Sequence, residues 1–176
     1  MELKPGYEQT EVGVIPSDWI VQPMGGLGAF KNGINKAAGD FGHGSPFINL
    51  MDVFGTTRTA PTTESLGLVN STQTEQETYE LRAGDVLFVR SSVKPEGVGL
   101  TALIPNDLPQ TVFSGFLIRF RDRGQLAREF KEHCFLSDSF RRRLIASSTV
   151  SASRAVATMS TTSRGAIWQV ISAVGG

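Results

Sequence analysis

The sequence predicts a fold in two parts, short β-strands as far as about residue 120 and α-helices after it. Three observations predict it. Val86-Leu87-Phe88-Val89 is an unbroken apolar run closed by Arg90 and introduced by the turn Ala83-Gly84-Asp85, the pattern of a strand covered on both faces. Stretches rich in glycine or threonine, at 31–45 and 55–66, interrupt the apolar segments as loops do. After Phe120 the period changes, because Leu126, Phe130 and Cys134 recur every four residues and form one stripe of an amphipathic helix.

Taken in order, Ile15-Pro16-Ser17-Asp18-Trp19 reads as a turn, and Trp19-Ile20-Val21 starts a strand. Leu27 to Phe30 is a helical turn or a strand end. Lys31 to Ser45 holds four glycines and no sustained apolar period, so it reads as a loop. Pro46 to Leu50 reads as a strand, and residues 55–66, with Pro61, as a surface loop. Leu68-Val69 and Thr78 to Leu81 are candidate strands, followed by Val86 to Arg90, Gly99 to Ile104 and Phe116 to Phe120. Beyond the first helix, Ser137 or Asp138 can cap a second one with Phe140 and Leu144 on its apolar side. Residues 146–176 are rich in Ser, Thr and Ala, contain no acidic residue, and show no period before Ile167 to Ile171.

The length of 176 residues suits one domain, or one domain with a short appendage. A hydrophobic fraction of 40% is that of a soluble globular chain. No apolar run approaches the roughly 20 residues that span a bilayer, and Met1 to Gly6 contains no signal-type apolar core, so a cytoplasmic protein is expected. A single cysteine, Cys134, excludes an internal disulfide and a cysteine zinc cage. The net charge is zero, but it is unevenly spread. Residues 1–80 carry four basic side chains against ten acidic ones, a net of −6, and residues 81–176 carry the balancing +6. A basic face can hold phosphate on a neutral molecule, and solvated surface gives the same count.

Catalytic apparatus is hard to assemble from these residues. An Asn-Pro-Pro-Tyr methyltransferase motif and a Walker motif are both absent, and Gly25-Gly26-Leu27-Gly28 lacks the dinucleotide fingerprint and reads as a turn. A metal-dependent nuclease needs clustered carboxylates with a lysine nearby. Asp85, Glu96 and Lys94 can be assembled into such a site, but their order and spacing are wrong for the common pattern, and Asp85 has a simpler role in the Gly84-Asp85 turn. His133 and Cys134 are adjacent on a helix and point about 100° apart, so they make no nucleophilic pair. Cys134 is expected in the core.

Binding chemistry fits better. Arg90, Ser91, Ser92 and Lys94 follow a rigid strand with two glycines, Gly97 and Gly99, close behind, and such groups suit phosphate and base edges of DNA. Arg119 and Arg121 share one strand face by period two, opposite Phe116, Ile118 and Phe120. Arg141, Arg142 and Arg143 crowd the second helix, so one or two of them can reach a phosphate. Lys31, Asn32, Asn35 and Lys36 decorate the first glycine-rich loop and can reach base edges. Arg58 lies in the second loop. Each feature alone is ordinary surface; together they point to nucleic acid.

Thr10-Glu11-Val12-Gly13-Val14-Ile15-Pro16-Ser17-Asp18-Trp19 resembles the opening Thr-Glu-(Ile/Val)-Gly-x-(Ile/Val)-Pro-x-x-Trp of target-recognition domains in the specificity (S) subunits of type I restriction-modification enzymes. Leu27-Gly28 with Phe30-x-x-Gly33 resembles the next element, and Pro46 to Asn49 with Met51-Asp52-Val53 the one after the first loop. Leu81-x-x-Gly84-Asp85-Val86-Leu87-Phe88-x-Arg90-Ser91-Ser92 resembles the central strand and its loop, and Phe116 to Phe120 and Phe140-Arg141 follow in the same order. The match runs over residues 10–145.

The resemblance implies an α+β fold with a wound, partly barrel-like β portion followed by a C-terminal helical hairpin. It implies a domain over residues 1–146 that reads one half of a bipartite sequence in double-stranded DNA, without catalysis or a cofactor of its own. S-adenosylmethionine would come with modification (methyltransferase) subunits, and ATP and magnesium with restriction (translocase and nuclease) subunits. Phosphate contacts would fall to Arg90, Ser91, Ser92, Lys94 and Arg141 to Arg143, and base reading to the loops at 31–45 and 54–66. Residues 147–176 depart from the pattern, which continues into a long spacer helix. A half-subunit that forms a homodimer, a truncated product and an excised domain all fit that departure. Two competing readings are an assembly module without DNA binding and, from Asp85 and Glu96, a nuclease.

Overall fold

Four apolar residues in succession need cover on both faces, and the chain is built around that need. A computed structural model describes residues 3–10, 13–54, 63–92, 97–146, 149–151, 156–158 and 169–173. Two strands, β1 (Tyr7–Thr10) and β2 (Gly13–Pro16), form an antiparallel hairpin. The expected turn at Ile15–Trp19 shrinks to Ser17-Asp18, because Ile15 is buried within β2. After β3 (Trp19–Pro23), the Gly25-Gly26 stretch forms a single helical turn, α1 (Met24–Leu27), anchored by the buried Met24 and Leu27. It leads into β4 (Gly28–Asn32).

The loop expected at 31–45 is shorter than its glycine content suggests. A strand, β5, runs Phe41–Ile48, and Gly42 and Gly44 sit inside it at φ +94° each. They make an irregularity in its pairing with β6 (Gly67–Val69) rather than an end to the strand. The strand stops at Ile48, where Asn49 N–H donates to Asp52 Oδ2 at 2.7 Å and opens α2 (Leu50–Phe54). Thr78 to Leu81 is not a strand. Thr72 caps a helix, α3 (Gln73–Tyr79), by a reciprocal pair: Glu75 N–H donates to Thr72 Oγ1 at 3.2 Å, and Thr72 N–H to Glu75 Oε2 at 2.8 Å.

The central strand, β7 (Val86–Val89), is fully buried. It is followed by β8 (Ser91–Ser92), β9 (Thr101–Leu103), β10 (Val112–Phe113) and β11 (Leu117–Asp122). Two helices come next, α4 (Arg128–Cys134) and α5 (Asp138–Ala146), the second capped by Ser137 Oγ accepting from Phe140 N–H at 3.2 Å. Of the short strands β12 (Thr149–Ser151), β13 (Val156–Thr158) and β14 (Gln169–Ala173), β12 pairs with β13, and β13 and β14 pair back onto β8 and β3.

The main sheet has the order β4-β11-β7-β9, antiparallel throughout. Val86 and Phe88 face one core, with Ile118 and Phe120 from β11 and Phe135, Phe140 and Leu144 from the helical segment. Its centre is aromatic: Phe88, Phe120, Phe135 and Phe140 lie edge-to-face or tilted, with ring centroids 5.1 to 6.0 Å apart. Leu87 and Val89 face the second core with Ile48, Val53, Ile104, Phe113 and Leu117. The three-stranded sheet β10-β5-β6 covers that side, and a parallel bridge between Ile34 and Ser114 ties the two sheets together. The fold is mixed α/β with several sheets, none of them closed among the described residues. No described helix is long and apolar enough to cross a membrane.

Candidate nucleic-acid interface

Strands β4 and β7 both run antiparallel to β11, so their C-terminal ends meet its N-terminal end at one end of the sheet. There Asn32 ends β4, Arg90 follows β7, and the turn Ser114-Gly115-Phe116 leads into β11. Gly115 lies between the two polar side chains. Arg90 Nη1 donates to Gly115 O at 3.3 Å, and Asn35 Oδ1 stands 2.0 Å from where a β-carbon on Gly115 would be. Any side chain at 115 would therefore displace Asn35. The Arg90 backbone N–H donates to Phe116 O at 2.7 Å, which fixes the base of its side chain. Its Nε is shut off from solvent without a partner among the described residues. Asn32, Asn35 and Phe116 are exposed.

Helix α5 runs toward the same end. Phe140 stacks on Phe88 at 6.0 Å, and Leu144, a turn further on, packs against Gly99, whose N–H donates to Val89 O at 2.9 Å. The arginines between them thus sit beside the end of β7, Arg142 and Arg143 exposed and Arg141 half-buried.

Two of the lysines read as loop side chains are engaged. Lys31 belongs to β4, and its Nζ lies 5.2 Å over the Tyr79 ring. Lys36 Nζ donates to both carboxylate oxygens of Glu75, at 2.9 and 2.8 Å, and only 12% of its side chain is exposed. That ammonium holds the Glu75 carboxyl below the usual carboxylate range. Ser91 and Ser92 are not an open loop, since their backbone forms β8 against Ala157 and Thr158 of β13. Arg58 and Lys94 lie outside the described residues.

The opposite end of the sheet holds ion pairs. Arg121 donates from Nε to Asp85 Oδ1 and from Nη2 to Asp85 Oδ2, both at 2.7 Å, and the Asp85 side chain is 1% exposed. This bidentate bond raises the Arg121 pKa, while burial lowers that of Arg119. Arg119 donates to Glu80 O and lies 5.9 Å over the Phe113 ring. Lys131 bonds Asp122 and donates to Gly84 O at 2.9 Å. Burial pushes Asp122 upward, but the Lys131 bond and the N–H groups of Leu126 and Gly124 outweigh it and hold the carboxyl low. Arg119 and Arg121 do share a face, as period two requires, but it is turned to Glu80 and Asp85 rather than outward. Cys134 is partly buried against the aromatic core, and burial raises its thiol to about 11.

The sequence placed Phe116 on the apolar face with Ile118 and Phe120, whereas its ring is 53% exposed. The missed signal is Ser114-Gly115, a turn dipeptide that makes position 116 part of a turn rather than of the strand.

No protein-family model and no curated protein matches the chain. Solved structures do match. The HsdS subunit from Thermoanaerobacter tengcongensis aligns over 88% of this chain and 36% of its own, at 17% identity and a TM-score of 0.54. The S subunit of a type I restriction-modification system from M. genitalium aligns over 97% of this chain and 36% of its own, at 8% identity and a TM-score of 0.53. At such identities the likeness is one of fold. The chain carries the fold of type I restriction-modification specificity subunits, over about a third of the length of those it matches.

Proposed function

We propose that this chain is a sequence-specific DNA-recognition domain of the S-subunit kind, reading one half of a bipartite target in double-stranded DNA. The observation that carries the reading is the gathering of Arg90, Asn32 and Asn35 at one end of a rigid sheet, with the Arg141 to Arg143 segment of α5 beside it. Guanidinium groups suit phosphates and guanine edges, and carboxamides suit adenine, each good bidentate base contact giving about 1–3 kcal/mol of discrimination. Phosphate contacts fall to Arg90, Ser91, Ser92, Lys94 and the α5 arginines, and base reading to the segments at 31–45 and 54–66, including Arg58. Residues 1–146, with the β portion wound into a partly barrel-like unit and α4 and α5 as its hairpin, form the recognition domain, and 147–176 an extension.

The domain does no chemistry and binds no cofactor itself. Modification subunits bring S-adenosylmethionine, restriction subunits bring ATP and magnesium, and a homodimer supplies the second half-site in the cytoplasm. The nuclease reading finds no support at Asp85, whose carboxylate is bonded by Arg121 and by the Arg82 N–H at 2.8 Å. The assembly reading has one observation in its favour: Tyr7, Val14 and Ile20 are exposed on the N-terminal strands.

Retardation of a randomised duplex pool, with and without Arg90→Ala, tests the proposal. With about three phosphate contacts, affinity should fall roughly 40-fold between 50 and 200 mM salt. Arg90→Ala should weaken binding and lower the salt slope by about one. Binding that ignores both salt and Arg90 would overturn the reading.

A further inference from the structure

Phe116 is a large apolar side chain held out of both cores on a turn that is otherwise fixed. Ser114 N–H donates to Ile48 O at 2.9 Å, Gly115 N–H to Ile34 O at 2.8 Å and Leu117 N–H to Ser114 O at 2.9 Å. Phe116 N–H donates to Ser114 Oγ at 3.3 Å, and its carbonyl accepts from Arg90 N–H. Every backbone N–H of residues 114 to 117 is thus bonded within the protein, and the flanking Phe113 and Leu117 are 0% exposed. These bonds fix the backbone that carries the ring, and Phe116 is 53% exposed on it.

Single exposed apolar residues are common and need no explanation by themselves. The surroundings set this one apart. The ring shares its turn with Gly115, against which Asn35 and Arg90 both pack, so the same turn carries an exposed aromatic and holds a guanidinium and a carboxamide. A guanidinium and a carboxamide on the same turn are groups that phosphate and base edges call for. DNA-binding proteins pair such polar groups with an apolar side chain pushed between base pairs. A ring on a turn suits entry into a stacked step better than holding a flipped base, which needs a pocket.

We propose that Phe116 is a wedge that enters the DNA duplex between two adjacent base pairs, while Arg90 and Asn35 hold the groove wall beside it. This rests on the DNA reading above and adds a deformation of the duplex to it. Sequence preference then arises at the wedged step as well as at contacted bases, because flexible pyrimidine–purine steps open most easily.

The test uses the full chain and a duplex enriched by it from a randomised pool, with 2-aminopurine placed at successive positions. Wild-type protein and Phe116→Leu, which keeps an apolar wedge, should brighten the probe at one step. Phe116→Ala should leave it dark and bind roughly tenfold more weakly, with the salt slope unchanged. A Phe116→Ala variant that binds and brightens like wild type overturns the wedge, and so does a wild-type complex in which no position brightens. In either case retained sensitivity to Arg90→Ala leaves the DNA reading standing. Failure of the wild-type protein to retard any member of the pool overturns both, and points to a protein surface as what Phe116 meets.

Discussion

The two ends of the central sheet carry similar side chains and use them differently. Where β7 starts and β11 finishes, each cation has an anionic or carbonyl partner: Arg121 with Asp85, Lys131 with Asp122, Arg119 with Glu80 O. Where β7 finishes and β11 starts, Arg90 bonds one backbone carbonyl at 3.3 Å and no carboxylate among the described residues, and Asn32, Asn35 and Phe116 are exposed. Arg90 and Arg119 each bury an Nε with no partner among the described residues, so the ends differ in their carboxylates and their exposure. The difference lies in where the carboxylates are. Asp85 and Asp122 sit at one end of their strands, so the carboxylates that pair with the strand and helix cations gather there. Net charge by sequence segment therefore says little about a binding face; the unpaired remainder after folding says more.

The comparison breaks most visibly at Asp85. Asp85→Asn removes the charge that faces Arg121 inside the protein and should lower stability by about 3 kcal/mol in chemical denaturation. DNA affinity of the folded fraction should not change. Affinity lost with stability intact would mean that the paired end, not the open one, meets DNA. Gly33→Ala is the counterpart at the open end, with a smaller effect. A β-carbon there would lie 2.1 Å from Ser114 O, a backbone atom that cannot swing aside. Thermal unfolding should show a loss of about 2 kcal/mol from the forced separation of β4 and the 114–117 turn. DNA affinity should fall with it, since that turn carries Phe116 and positions Arg90. A variant that keeps its affinity would detach the turn from the interface.

Local patterning made the scaffold legible. The apolar run at 86–89, the four-residue stripe before Cys134 and the cap at Ser137 each translate into an element by period or by a single hydrogen bond. Helix α3 was equally legible, since Thr72 and Glu75 spell its capping box, but Thr78 to Leu81 reads more readily as strand than the polar run before it reads as helix. The candidate site was half legible. Arg90, Asn32 and Asn35 stand out as residue types, and the approach of Arg90 and Asn35 to Gly115 at the end of β4 depends on strand order, which no local pattern encodes. Arg119 and Arg121 show the limit most clearly. Period two put them on one face, and only the position of Asp85 and Glu80 across the sheet decides that the face looks inward.

Lys36 sharpens the comparison by the smallest expected effect. It belongs to the segment at the open end, yet it is already paired, so it should behave like the cations of the closed end. Lys36→Ala should cost under about 1 kcal/mol, because 28% of the Glu75 side chain remains in water. The sign with pH follows from the lowered Glu75 pKa. A carboxyl held below its ordinary 4.5 adds stability that is fully present above that value. The contribution disappears as the pH falls through the folded-state pKa. The gap between wild type and Lys36→Ala should therefore be constant at neutral pH and close below about pH 4.5, when urea midpoints are measured across that range. Salt-dependent DNA binding should be unchanged by the substitution. A drop in the salt slope of about one would instead place Lys36 on a phosphate, and would mean that the Glu75 pair opens when DNA arrives.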